Sequence, residues 1–353
     1  MPTLYANHVS LDTHRPPIAI GNVMLPNRVI LAPMSGVTDA PFRRLAASLG
    51  AGLVVSEMIA SPSLVEGRRD ARLRIEGQGV GPHVVQLAGC EPRWMAEGAR
   101  IAEDNGAAII DINMGCPAKH VTNGASGSAL MRNLDHALTL VEATVKAVSV
   151  PVTLKMRLGW DERSINAPAL AQRAEQAGVR MITVHGRTRC QFYQGKADWA
   201  AIRAVKDKVT IPVTANGDIE SFDEADAAFR ASGADAIMIG RGAQGRPWFP
   251  GQVARYLAGG RREPSPPLNV QHTLIVTLYR DMLDHHGRVG LRHARKHLGW
   301  ALDAAAATAK APVELLKHWR GQVLTAETAN DAQHRLGEAY AAFSELAPTR
   351  LAA

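Results

Sequence analysis

Cysteine is scarce in this chain: its 353 residues include three, Cys90, Cys116 and Cys190, and no two of them form a CxxC pair. So few thiols at such spacings exclude a disulfide-stapled scaffold and a cysteine-held metal or cluster site, so no metal is expected and the setting is a reducing one. Long apolar runs are also lacking, and none approaches the length that crosses a bilayer. The opening MPTLYANHVSLDTHRPP has no basic stretch followed by an apolar core, which argues against a secretory signal. The expectation is a cytoplasmic protein with no membrane partner, working as a monomer. Charged residues make up 21% against 46% hydrophobic, a balance that excludes wholesale disorder and allows a large core with a smaller domain beside it. Acidic residues are the sign in deficit, 33 against 40 Lys and Arg, leaving a net +7. The excess is densest toward the end, with 13 Lys and Arg against 9 Asp and Glu from Gly251 onward. Such a balance implies an acidic partner, of which nucleic acid is the commonest.

What the chain does have is alternation. Short β-branched runs recur at 29–34, 53–58, 83–87, 108–113, 151–157, 181–185, 211–215 and 236–239, and amphipathic or alanine-rich stretches lie between them. Strand–helix alternation requires parallel strands with helices over the sheet. Eight such units in about 220 residues match a closed (β/α)8 TIM barrel, with a doubly wound open sheet as the alternative. Ser221-Phe-Asp-Glu224 reads as a capping box, and Gly50, Gly178 and Gly233 stand where helices should stop. The Gly/Pro-rich stretch 259–267 reads as a linker after a barrel domain at 18–258. Beyond it, 268–353 reads as a small all-α C-terminal domain, with helices at 269–300, 312–324 and 328–346.

The barrel is organised around Asp111-Ile-Asn-Met-Gly-Cys-Pro117. A buried strand turns polar at Asp111 and Asn113, which leave the same face, and then delivers a thiol on a glycine loop. On this stretch alone Cys116 is equally a catalytic thiol or a small core residue. Polar residues, however, end every strand, which a ligand across the barrel mouth explains better than isolated structural hydrogen bonds. Lys155 and Arg157 share a strand face and need an anionic partner, either an ion pair with Asp111 or Glu57 or a phosphorylated, electron-rich cofactor. Gly240-Arg-Gly-Ala-Gln-Gly245 is a literal GxGxxG after the eighth strand, where barrels hold phosphates. With Asn216, Gly217 and Asp218 in the preceding loop, Gly240 and Arg241 form a candidate phosphate cradle for a mononucleotide. FMN fits these residues best: Lys155 can stabilise negative charge on the reduced ring, and Gln86 and His185 can hydrogen-bond it. Cys116 is then the natural proton donor, since a thiol with the ordinary pKa of about 8.5 is mostly protonated at neutral pH.

The tail carries Arg288, Arg292, Arg295 and Lys296 at helical spacing, with His293 and His297 interleaved. They read as a basic ridge that grips a phosphate backbone, and Lys119, Arg157, Arg187 and Arg189 could carry the grip into the pocket.

Together these residues closely resemble the tRNA-dihydrouridine synthase family, in particular its bacterial B-type branch. The motifs that carry the likeness are Ala32-Pro33-Met34-Ser-Gly-Val-Thr38-Asp39, Asp111–Pro117, Leu154-Lys155-Met-Arg157-Leu-Gly-Trp160, Thr183-Val-His185-Gly-Arg-Thr188, Ala215–Ile219, Met238–Arg246 and Ala294-Arg-Lys-His297. They run in the family's order from about residue 18 to 300, leaving 1–17 as an unmatched extension. Ser35 stands where alanine is usual. The resemblance implies that NADPH reduces bound FMN, and that the 5,6 double bond of a uridine in the D-loop of tRNA is then reduced. Hydride would go to C6 and a proton from Cys116 to C5. By matching position, Pro33, Met34, Ser35, Gln86, Lys155, His185, Asn216, Gly217, Asp218, Gly240 and Arg241 would contact FMN. Asn113 and Arg157 would hold the extruded uracil, and the helical domain would dock the tRNA by shape. Two other readings stand beside it: a flavin barrel acting on a free pyrimidine, as in dihydroorotate dehydrogenase, and an RNA-binding regulator without catalysis.

Overall fold

A computed structural model of the chain describes residues 17–346, so the expected N-terminal extension over 1–17, save its last residue, and residues 347–353 of the tail lie outside the described residues. After a two-stranded hairpin, β1 (Ala19–Ile20) and β2 (Val23–Met24), the barrel strands are β3 (Val29–Leu31), β4 (Leu53–Val55), β6 (His83–Ala88), β7 (Ile109–Met114), β8 (Val152–Arg157), β9 (Ile182–His185), β10 (Val213–Asn216) and β11 (Ala236–Ile239). A short β5 (Ile59–Ala60) adds to the far end of β6. Every barrel pairing is parallel, and the pairing of β4 with β6 closes the ring that runs through β3, β11, β10, β9, β8 and β7. The β-branched runs noted above are buried on both faces because helices cover the outside, which parallel strands require. The expected TIM barrel is the observed fold, with an α-helical region after it.

Two strands stop earlier than the hydropathy implies. Ala32 still donates to the Ile239 carbonyl at 2.8 Å, but Pro33 has no N–H with which to continue. Ser56 makes the last ladder bond after β4, to the Val84 carbonyl at 3.1 Å, before the chain turns toward β5.

The covering helices are α1 (Ala40–Ser48), α2 (Ser61–Val65), α3 (Arg69–Ile75), α4 (Pro92–Asp104), α5 (Lys119–Thr122), α6 (Leu134–Ala147), α7 (Ala167–Gln176), α8 (Ala200–Lys206), α9 (Phe222–Ser232) and α10 (Phe249–Gly259). Ser221 caps α9 by accepting from the Glu224 amide at 3.2 Å, but Glu224 reaches back to the amide of Glu220 rather than that of Ser221. The capping box is therefore shifted outward by one residue at its acidic end.

Among the described residues the tail forms four helices, α11 (Leu268–His286), α12 (Gly290–Ala309), α13 (Val313–Leu324) and α14 (Ala329–Leu346). The single helix expected over 269–300 is two, because Gly287 takes φ of 60° and the chain makes a 3-10 turn before α12 starts. Apolar residues of α11, α12 and α14 join the same continuous core as the barrel helices. Polar links cross the seam: His286 Nε2 lies 2.7 Å from Asp39 Oδ2, the carboxylate that also caps α1, and His285 Nδ1 lies 3.2 Å from Glu76.

Candidate active site

Parallel register places the polar strand ends at one height. Asn113 pairs with Lys155, Gln86 with Asp111, and Asn216 with His185, all toward the C-terminal ends of their strands. Gln86, Asn113, Lys155, His185 and Asn216 line a cavity of about 590 Å³ over the barrel mouth, within the range of small-molecule sites. Its walls include Pro33, Met34 and Ser35 after β3, Cys116 after β7, and Gly217, Asp218, Gly240 and Arg241 after β10 and β11.

Lys155 is 9% exposed and lines this cavity, and neither Asp111 nor Glu57 comes within ion-pairing distance of it among the described residues. Burial, reinforced by the Arg157 charge, pulls its pKa down to about 8, and Asp111 offsets only part of this. Asp111 is instead held by Thr153 Oγ1 and Gln86 Nε2, each at 2.6 Å, and burial raises its pKa. Glu57 accepts a hydrogen bond from the Gly36 amide, and burial likewise raises its pKa. A cation in a pocket without a carboxylate partner is poised for an anionic ligand.

Gln86 and Asn113 are wired together. The Gln86 amide oxygen accepts from Asn113 Nδ2 at 2.8 Å, while Asn113 Oδ1 accepts from the amides of Gly115 at 3.1 Å and Cys116 at 2.9 Å. Arg157 Nε donates to the Gly115 carbonyl at 2.8 Å, and Ser128 Oγ donates to the Cys116 carbonyl at 2.8 Å. The thiol loop is thus fixed at both flanks, with Cys116 half-buried on the cavity wall. The alternative of Cys116 as a core residue fails on this placement. Cys190 is exposed, and Cys90 is half-buried away from the cavity lining.

Several residues expected to touch RNA are placed otherwise. Arg187 is 1% exposed, and its five donors are engaged: Nε with the Gln194 carbonyl, Nη1 with Asp218 Oδ1 and His185 Nε2, and Nη2 with the Gly195 carbonyl and Asp218 Oδ2. It clamps the loop after β9 to the loop after β10 and has no donor left for a phosphate. Arg157 Nη1 is taken by the carbonyls of Thr188 and Phe192, each at 2.8 Å, and its guanidinium lies 5.5 Å from the Tyr193 ring on the cavity wall. Nor do the tail cations make one ridge. Arg288 sits in the 3-10 turn, Arg295 Nη2 donates to the Ala326 carbonyl, and Lys296 Nζ turns toward Gly36, whose added Cβ would lie 2.7 Å from it. Arg292 is exposed on α12 and Lys119 on α5.

Gly217 takes φ of 119°, and a Cβ there would meet His185 Cδ2 at 2.9 Å. The Asp218 carboxylate faces Arg187, Arg241 and the Ala197 amide. Burial opposes its ionisation, but these partners hold its pKa below the ordinary carboxylate value. Of the GxGxxG glycines only Gly240 and Gly242 line the cavity. Gly245, with φ of 69°, is required because the Trp300 carbonyl of α12 lies 2.1 Å from where its Cβ would stand. Burial and the surrounding cations push His185 well below the usual histidine range, so its ring is neutral. Phe192 and Tyr193 also line the cavity, and Tyr193 is 57% exposed. The aromatic pair in a polar loop was the available sequence signal for them.

A closed barrel whose mouth holds a fixed thiol, a lysine without an acid and a glycine-rich rim is the frame of an oxidoreductase. The sequence pattern of the dihydrouridine synthase family matches residues 30–338. The chain belongs to that family. It is 60% identical over 292 residues, 81% of this chain and 90% of the other, to a Rhizobium leguminosarum bv. phaseoli protein named probable tRNA-dihydrouridine synthase. It is 49% identical over 287 residues, 81% of this chain and 86% of the other, to tRNA-dihydrouridine synthase B of Pseudomonas aeruginosa. The solved 6-hydroxypseudooxynicotine amine oxidase of Pseudomonas geniculata N1 shares the fold with a TM-score of 0.57 at 14% identity, over 96% of this chain and 67% of that one. Among the described residues no helix is long and apolar enough to cross a membrane, and no group of three His, Cys, Asp or Glu could hold a metal.

Proposed function

We propose that this protein reduces the 5,6 double bond of a uridine in the D-loop of tRNA, in the cytoplasm and as a monomer, with FMN as the bound cofactor. The observation that carries the reading is Lys155, a buried cation on the cavity wall with no carboxylate within ion-pairing distance among the described residues and a fixed thiol on the same wall. An anionic, electron-rich ring system answers that charge, and the amides at Gly217–Asp218 and Gly240–Arg241 offer donors to its phosphate. Pro33, Met34 and Ser35 would bound the ring on one side, with Gln86 and His185 near its polar edge. When bound, FMN supplies a hydride to C6 of the uracil, with NADPH as the reductant.

The chain's own residues account for the rest. Cys116 donates its Sγ proton to C5, and the resulting thiolate is reprotonated from solvent. Asn113, Arg157 and Ser128 hold the Cys116 backbone so that the thiol stays on the cavity wall. Asn113 retains one amide hydrogen for the extruded base, with the Arg157 guanidinium beside it on the same wall, and the base leaves its stack at a cost of a few kcal/mol. Arg187 acts by positioning, through His185 and Asp218. The helical region docks the tRNA by phosphate contacts and shape, with Arg292 and Lys119 as the exposed cations nearest that role.

The test is direct. Purified protein should be yellow with flavin absorbance, and should restore dihydrouridine to tRNA from cells that lack this gene. Cys116→Ala should keep the flavin spectrum while losing about 10²- to 10⁴-fold in turnover. Colourless protein that cannot take up FMN, or a Cys116→Ala variant as active as wild type, sinks the reading.

A further inference from the structure

Two arginines on the barrel rim are oriented without any carboxylate. The Arg132 guanidinium stacks on the Trp160 ring at 4.9 Å, and the Arg189 guanidinium stacks on the same ring at 4.6 Å and on Phe192 at 4.7 Å. Arg132 and Arg189 therefore share the Trp160 ring, and Arg189 also lies over Phe192. No ion pair to Arg132 or Arg189 is present among the described residues, in contrast to Arg173, which has Asp135, and Arg187, which has Asp218. The Arg189 side chain makes one hydrogen bond, a long one of 3.4 Å from Nη2 to Thr122 Oγ1 on α5, and its buried Nε has no partner. An arginine on an aromatic face has already lost rotamer freedom, so less is lost when its fork meets an anion.

The stack also stands beside the reacting loop. Phe192 lines the same cavity as Cys116. The 3-10 turn that ends at Arg132 (Gly127–Arg132) carries Ser128, which holds the Cys116 carbonyl. Anything entering the cavity with an attached chain on this side passes the two cations. The geometry points to a phosphate shelf: Arg132 and Arg189, spread by Trp160, take the backbone of nucleotides flanking the base that occupies the cavity. This deepens the tRNA reading and rests on it. It assigns the barrel its own RNA grip, separate from the helical region, and replaces Arg187 with Arg132 as the partner of Arg189. A ribose-phosphate strand suits the shelf because its anions repeat, whereas a single free anion would engage only one of the two guanidinium groups.

The test uses full-length protein with bound flavin and unmodified tRNA, with affinity measured across a series of salt concentrations. Arg132→Gln and Arg189→Gln should each weaken binding about fivefold to tenfold and lower the slope of log affinity against log salt by about one. Trp160→Leu removes the spacer and keeps both charges, so affinity should fall while the slope changes little. Flavin content should stay at the wild-type level for Arg132→Gln, whose side chain is exposed and whose loss leaves the fold intact. Wild-type affinity and slope in both arginine variants would overturn the shelf. A wild-type protein that holds flavin but binds no tRNA would instead remove the functional reading itself, and the shelf with it.

Discussion

Truncating Arg187 to alanine separates two roles that the sequence alone does not distinguish. If this arginine gripped RNA, its loss would weaken tRNA binding and leave the fold alone. The structure makes it a buried clamp between two loops, with a two-pronged pair to Asp218 at 2.6 and 2.8 Å. Removing one partner of a buried pair costs about 3–5 kcal/mol because the other charge stays behind. Here the lower end applies. Asp218 keeps Arg241 and the Ala197 amide, and the Gln194 and Gly195 carbonyls lie in exposed loop where water can replace the lost donors. For a chain of 353 residues, about 3 kcal/mol corresponds to a fall in Tm of about 4 °C. The assay is thermal unfolding followed by circular dichroism on flavin-stripped protein, so that loss of cofactor does not mimic loss of fold. FMN affinity should drop as well, since the clamp holds His185 and the Gly217–Asp218 turn. Arg187→Lys should recover little, because one ammonium cannot serve carbonyls and both carboxylate oxygens together. An Arg187→Ala protein that melts with the wild type and loses only tRNA affinity refutes this reasoning.

Three further outcomes follow from the same geometry. The charge on Lys155 is present below its pKa of about 8 and lost above it, so FMN affinity of the apoprotein, measured by flavin fluorescence, should weaken as pH rises past 8; a flat profile to pH 9.5 in wild type, or an unchanged slope in Lys155→Met, would count against it. Gly217→Ala forces a side chain into φ of 119° against His185 and should cost about 1–3 kcal/mol of stability together with flavin retention, whereas Gly195→Ala, at φ of 64° in open space, should leave flavin in place. His297 on α12 is buried and held neutral, its pKa pushed down to about 4 chiefly by burial. Its unfolded form binds a proton at higher pH than its folded form, so its contribution is complete above about 6.5 and is lost as pH falls toward 4. The full swing is about 3 kcal/mol. Acid denaturation of His297→Gln should therefore begin at lower pH than that of wild type, and a coincident transition would show that His297 does not control it.

Much of the fold is legible in the sequence because its signals are local. A β-branched run such as Val152–Arg157 alternates with an alanine-rich helix such as α7 within a few residues, and that alternation alone calls for parallel strands. Polar residues toward the ends of several buried strands, Lys155, His185 and Asn216 among them, mark the mouth. The thiol at Cys116, the glycine turn at Gly217 and the rim at Gly240 are readable for the same reason. What tertiary structure decided is which partner satisfies each buried polar group. Arg187 meets Asp218 across 31 residues, and Thr153 rather than Lys155 holds Asp111 across 42. Arg295 and Lys296 look like a solvent ridge by helical spacing, yet the break at Gly287 and the packing of α12 turn them toward α13 and the Gly36 loop. Helical and strand periods fix which face a side chain leaves by. The free energy of a buried charge depends on what the rest of the chain brings to that face.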